Sequence, residues 1–190
     1  MYNIVNVVLK ARLCETKLPL DLTHLALKIF PTNSKLYKGR PTQLKITMTD
    51  ENVICLIFGK GAIRLMGKGL VTANDDDDDM LSAYMTLFSI TEKFTPEKPN
   101  LHIQTMTVVS NLPSAINLPN FVSKSTKFSK LKLHYDFELF SAVSVQNYAP
   151  IHVNIFASGK IVICGIKTTK QVDTIINDLL YAYYSITNTQ

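Results

Sequence analysis

Cysteines are scarce in this 190-residue chain, and their placement excludes two kinds of cross-link. The three cysteines are odd in number and widely spaced, so they do not form the framework of a disulfide-stapled domain. There is no Cys-x-x-Cys pair, and none of the four histidines lies at metal-ligand spacing, which argues against a zinc site. We therefore expect a reducing intracellular compartment, no metal and no other cofactor.

Long apolar runs are also missing, and no secretory leader is expected. No apolar run approaches the roughly 20 residues that span a membrane, although 46% of the chain is hydrophobic and can form a core. The first residues lack a basic region followed by an apolar segment, and a strand is expected there instead. No membrane partner is expected. The net charge of +5 is compatible with a polyanionic partner.

Catalytic patterns are absent as well. We find no nucleophile with a base and an orienting group, no paired catalytic carboxylates and no glycine-rich phosphate loop. The acidic run 75–79 is interpreted as a helix start with a solvated acidic segment, because carboxylates there complement the helix dipole. An enzyme and a small-molecule substrate are therefore not expected.

An internal repeat is the strongest feature that the sequence does contain. Residues 56–68 and 154–166 align without a gap at an offset of 98 residues. The identical pairs are Ile57/Ile155, Phe58/Phe156, Gly61/Gly159, Ile63/Ile161 and Gly67/Gly165. Each segment consists of a strand pattern, a glycine turn and a second strand pattern, which predicts a β-hairpin.

Similar elements flank both hairpins in the same order. Each copy has a strand, a short helix, about three further strands and a long helix. The expected strands are 4–9 and 103–109, the short helices 20–29 (capped by Asp21) and 116–122 (shortened by Pro119), and the long helices 76–94 and 169–184. The sequence thus predicts an α/β (α+β) fold made of two repeats.

We place the first repeat at residues 1–94 and the second at 101–190. Residues 95–100 contain two prolines and form a short connector. Because this connector is too short for two independently moving domains, the two repeats are expected to form one pseudo-symmetric domain.

The chain resembles the core domain of the TATA-box-binding proteins (TBP). The resemblance rests on Asn3-Ile4-Val5, Leu56-Ile57-Phe58, Glu138-Leu139-Phe140 and residues 155–162. It implies a saddle, in which a curved antiparallel sheet carries helices on its convex face. It also implies a general initiation factor that binds the minor groove of A·T-rich double-stranded promoter DNA, inserts phenylalanines and bends it. The expected protein partners are a B-type initiation factor and RNA polymerase.

The resemblance assigns roles to particular residues. Phe58, Phe140 and Phe156 match wedges that enter the DNA stack, whereas Pro41 occupies the place of the fourth wedge. The other expected DNA contacts are Asn3, Val5, Val7, Leu56, Arg64, Thr105, Thr107, Lys160 and Val162. Asp136 and Glu138 match the acidic residues that contact the B-type factor.

Several positions depart from the family pattern and support a second hypothesis. Arg64 replaces a small residue, Thr105 replaces an asparagine, and Pro41 replaces a ring. The alternative is a TBP-like saddle that acts as an interaction scaffold or competitor with little DNA bending. A third hypothesis, an enzyme, requires a catalytic cluster that we do not find. The divergence favours a viral or protist source, with a nuclear, cytoplasmic or viral transcription compartment.

Overall fold

The computed structural model describes residues 2–12, 20–29, 32–39, 41–49, 52–70, 102–128 and 131–187. The expected helix 76–94, the acidic run 75–79 and the connector 95–100 lie outside these ranges. The chain divides into two compact units. The N-terminal unit is Asn6–Gln104, and the C-terminal unit is Thr105–Gln190 together with Met1–Val5.

The N-terminal unit contains five antiparallel strands in the order β2-β3-β4-β5-β1. The strands are β1 (Tyr2–Arg12), β2 (Ser34–Tyr37), β3 (Gln43–Met48), β4 (Val53–Phe58) and β5 (Ala62–Gly67). The helical elements are α1 (Leu22–His24), a π-helical turn at Leu25–Ile29 and a 3₁₀ turn at Lys68–Leu70. Four strands follow β1, where the sequence suggested about three.

The C-terminal unit repeats this arrangement in the order β6-β10-β9-β8-β7. Its strands are β6 (His102–Asn111), β7 (Leu133–His134), β8 (Ala142–Val145), β9 (His152–Phe156) and β10 (Lys160–Ile166). Its helices are α2 (Leu118–Phe128) and α3 (Thr169–Thr187). Both predicted hairpins are therefore present, as β4–β5 and β9–β10.

In each unit one face of the sheet forms the core, because apolar residues alternate along the strands. In the N-terminal unit the core face holds Leu9, Leu44, Ile57, Ile63 and Leu65, each at most 2% exposed. In the C-terminal unit it holds Val108, Val143, Ile155, Ile161 and Ile163, all fully buried. Helix α3 packs its apolar stripe, which includes Val172, Ile175 and Leu179, into this second core.

The opposite face of each sheet, called the open face below, carries half-buried and exposed residues. In the N-terminal unit it comprises Asn6, Val8, Lys10, Arg12, Lys35, Tyr37, Gln43, Lys45, Thr47, Ile54, Leu56, Phe58, Ala62, Arg64 and Met66. In the C-terminal unit it comprises Thr105, Thr107, Val109, Asn111, His134, Ser144, His152, Asn154, Phe156, Lys160, Val162 and Cys164.

The cap of the first short helix agrees with the prediction, whereas the length of the second short helix does not. Asp21 caps the first one as predicted, because its Oδ1 accepts hydrogen bonds of 3.0 Å from the N–H groups of Thr23 and His24. The second, α2, has 11 residues and is longer than the expected turn or two. Pro119 does not shorten it, because it lies in the first turn, where a missing N–H removes no helical hydrogen bond.

Candidate nucleic-acid interface

An aromatic pair ends the open face of the C-terminal unit. Phe156 is the last residue of β9, and its partner across the strands is the small Ala142 of β8. Phe140 stands two residues before Ala142, so its ring reaches that of Phe156. The ring centroids lie 6.1 Å apart with planes inclined by 68°, a stabilising edge-to-face contact. The ring of Phe140 remains 48% exposed.

The turn before Phe140 is held by Asp136. Its carboxylate Oδ1 accepts a 3.1 Å hydrogen bond from the N–H of Glu138, and its carbonyl accepts one of 2.9 Å from the N–H of Phe140. Asp136 thus positions the wedge candidate. Glu138 is exposed, and the neighbouring Phe137 and Leu139 are 74% and 82% exposed, so this turn presents acidic and apolar side chains together.

At the matching end of the N-terminal unit, a proline takes the place of one of the two phenylalanine rings. Phe58 ends β4 opposite Gln43, and Pro41 stands two residues before Gln43, as Phe140 stands before Ala142. The strand register thus gives Pro41 the place of Phe140. An open groove of about 750 Å³ lies between Pro41 and Phe58 and is also lined by Leu20 and Leu36. The guanidinium Cζ of Arg64 lies 5.6 Å from the centroid of the Phe58 ring.

The structure places Val7, one of the expected DNA contacts, on the core face of the sheet. Val7 is 6% exposed and shares the core face with Leu9, whereas Arg64 faces the open side. Asn3 and Val5 alternate with Val7 along β1 and therefore share its side of the strand; Asn3 is exposed and Val5 half-buried.

The residues of β1 that face the open side are Asn6, Val8, Lys10 and Arg12, which the sequence comparison missed. Val8 pairs with Met66, and Thr107 pairs with Cys164, the residue 98 positions after Met66. Val8 is therefore the counterpart of Thr107, and Asn6 that of Thr105. The repeat offset of the hairpins does not find these residues, because subtracting 98 from 105 gives position 7, which lies on the core face.

The remaining candidates lie on the open faces. Thr105, Thr107 and Val162 are half-buried in the C-terminal unit, and Leu56 is half-buried in the N-terminal unit. Lys160 is exposed beside the hairpin turn and pairs with Asn111. The strand registers place these residues on the open faces.

Among the described residues, no group of three or more His, Cys, Asp or Glu side chains could hold a metal ion. Cys55 lies in the core, where burial raises the pKa of its thiol to about 12 and suppresses the reactive thiolate. Cys164 is half-buried on the open face. Within the described ranges, no helix is long and apolar enough to cross a membrane.

Two comparisons agree with this geometry. Residues 100–182 match the family described as transcription factor TFIID, or TATA-binding protein (TBP). The fold matches that of Methanococcus jannaschii TBP with a TM-score of 0.73 and 22% sequence identity, over 95% of this chain and 97% of that one. No curated protein sequence matches the chain.

The chain therefore has a TBP-like core domain that has diverged strongly in sequence. The predicted fold class is confirmed, because the structural match spans both units. The family match falls on the second repeat, where the wedge pair and the Ser158-Gly159-Lys160 turn are located.

Proposed function

We propose that this protein is a general transcription initiation factor that binds the minor groove of A·T-rich promoter DNA, inserts phenylalanines and bends the duplex. The observation that carries the proposal is the exposed edge-to-face pair of Phe140 and Phe156. This pair ends an open face whose central residues, Thr107, Val109 and Val162, are small and uncharged.

The chemistry of the minor groove suits such a surface. Its base edges carry few distinguishing donors and acceptors, so shape and apolar contact decide the fit. Separating two stacked base pairs costs a few kcal/mol, which a bent duplex offsets by wrapping more protein surface. Because the two rings already hold each other at 6.1 Å, little side-chain freedom remains to be lost on insertion.

Bending is the decisive measurement. End-labelled duplexes, A·T-rich and G·C-rich, are compared by fluorescence transfer with the wild type and with Phe156→Ala. We expect the wild type to bend the A·T-rich duplex, and Phe156→Ala to reduce bending more than binding. Tyr181→Ala is the matched control, because Tyr181 is a 68% exposed ring on helix α3, away from the open face. Equal effects of both variants would contradict wedge insertion.

We further propose that the turn around Glu138 recruits the B-type initiation factor, and through it RNA polymerase, inside the cell. The support is the exposed combination of Glu138 with the apolar Leu139 beside the DNA wedge. Glu138→Arg is expected to abolish the complex of protein, DNA and B-type factor in a gel-shift assay while leaving the complex of protein and DNA intact. Asp173→Arg, on the exposed side of α3, is the matched control.

A second candidate function is a scaffold or competitor that uses the same fold with little bending. Pro41 favours it, because the N-terminal unit then offers a single wedge ring, Phe58. The bending assay separates the two functions. Absence of duplex binding even at low salt, together with capture of the B-type factor, would support the scaffold.

A further inference from the structure

Four cations form a row across the open face of the N-terminal unit. The register of five neighbouring strands aligns Lys35 with Lys45, Lys45 with Leu56, Leu56 with Arg64, and Arg64 with Lys10. Paired residues share a face of the sheet, so all four cations and Leu56 lie on one side. We call Lys35, Lys45, Arg64 and Lys10 the cation row.

The same row in the C-terminal unit has no lysine or arginine. Its counterparts, in the same order of strands, are His134, Ser144, Asn154, Val162 and Val109. The two copies of the repeat therefore share their backbone pairing and differ in the charge of this row. The difference concerns the surface that faces DNA in the proposed function.

The cation row is electrostatically unfavourable by itself. Adjacent strands are about 4.8 Å apart, and like charges directly opposite each other on a sheet repel. Within the described parts of the chain, no carboxylate lies on this face. Two members contact rings instead: the Nζ of Lys35 lies 5.4 Å from the Tyr37 centroid, and Arg64 lies over Phe58. An anionic ligand would relieve the repulsion.

We propose that the cation row binds the phosphates of double-stranded DNA. The cation row then supplies a salt-dependent and sequence-independent part of the affinity, and the matching row of the C-terminal unit, which has no lysine or arginine, supplies the fit to the groove. This inference rests on the proposed function for its ligand class. A duplex carries one charge per roughly 1.7 Å of its axis, a density that suits four neighbouring cations. The row also lies beside Phe58, the wedge candidate of this unit.

The test measures how duplex affinity depends on salt. The double variant Lys45→Gln/Arg64→Gln removes the two central cations, and we expect the slope of log Kobs against log salt to become about 1.8 less negative. Affinity should fall by a similar factor for A·T-rich and G·C-rich duplexes. Lys167→Gln/Lys170→Gln is the matched control, because it removes the same charge from exposed positions at the start of α3.

Each outcome separates the two proposals. Bending by the wild type with an unchanged slope in the row variant overturns the inference and leaves the proposed function standing. Row-dependent binding of both duplexes without bending supports the inference and contradicts the proposed function. An equal slope change in the control variant overturns the inference, since net charge alone then explains it. Tighter row-dependent binding of polyglutamate than of duplex also overturns it, in favour of an acidic protein partner.

Discussion

Val7 and Val8 are neighbours on β1 that point to opposite sides of the sheet. Val7 is buried in the core, whereas Val8 is half-buried on the open face as the counterpart of Thr107. A hydroxyl introduced at Val7 has to leave water, at a cost of roughly 1–3 kcal/mol when no partner is present. The same hydroxyl at Val8 stays close to water.

Threonine, which has the shape of valine, tests this assignment. Val7→Thr is expected to lower the free energy of unfolding by about 1–3 kcal/mol, and Val8→Thr to change it by less than about 0.5 kcal/mol. Urea denaturation followed by circular dichroism gives both values. Equal destabilisation by the two variants would contradict the side of β1 that we assign to each valine.

At the scale of single elements, the hairpins were predictable and the alignment of the first strand was not. The hairpins combine alternating apolar residues with a glycine turn, two signals that fix both the strands and their ends. The first strand contains two similar triplets three residues apart, Asn3-Ile4-Val5 and Asn6-Val7-Val8. An odd shift of three residues exchanges the two faces of the strand. Only pairing with β5 decides between them.

The cation row was beyond sequence reasoning for a related reason. Its members come from four strands that are separated by connections of different length. Their alignment depends on four strand registers at once, and an error of one residue in any of them moves a cation to the core face. The length of α2 was underestimated because Pro119 is unfavourable in a helix interior and harmless in a first turn.

The hairpin turns provide a stability test at this scale. Gly159 has φ +84°, and a Cβ added there would lie 2.6 Å from the carbonyl oxygen of Ser114. Gly159→Ala is expected to lower the free energy of unfolding by at least about 1–3 kcal/mol, because strain and overlap both oppose it. Gly59→Ala is the control: a Cβ there has no atom within 4 Å, and its counterpart is already Ala157.

Thermal melts of the two glycine variants give the comparison. Gly59→Ala should be neutral or stabilising by up to about 1 kcal/mol, since alanine restricts the unfolded chain. Equal loss of stability in the two variants would contradict this explanation. The cost of Gly159→Ala would then not come from the φ angle of Gly159 or from its contact with Ser114.

At the scale of the whole molecule, duplication has conserved the pairing of strands while the two open faces have acquired different chemistry. One carries the cation row, and the other carries the paired rings together with a matching row that has no lysine or arginine. A protein that binds DNA with both faces should therefore respond to salt through one unit and to base composition through the other. Testing this division requires a reporter on the open face of the C-terminal unit whose signal does not depend on charge.

Cys164 is such a reporter, because it is half-buried on the open face of the C-terminal unit opposite Thr107. In a Cys14→Ser background, iodoacetamide should modify Cys164 in the folded protein, whereas Cys55 is buried and its thiol pKa of about 12 keeps it protonated. A duplex at about ten times its Kd occupies roughly nine-tenths of the protein and should slow modification about tenfold. Undiminished modification at saturating duplex would place the DNA elsewhere. The variant Lys45→Gln/Arg64→Gln is tested in the same way, with the duplex concentration raised to match its weaker affinity. If the duplex still protects Cys164 in this variant, groove contact and phosphate contact belong to separate units.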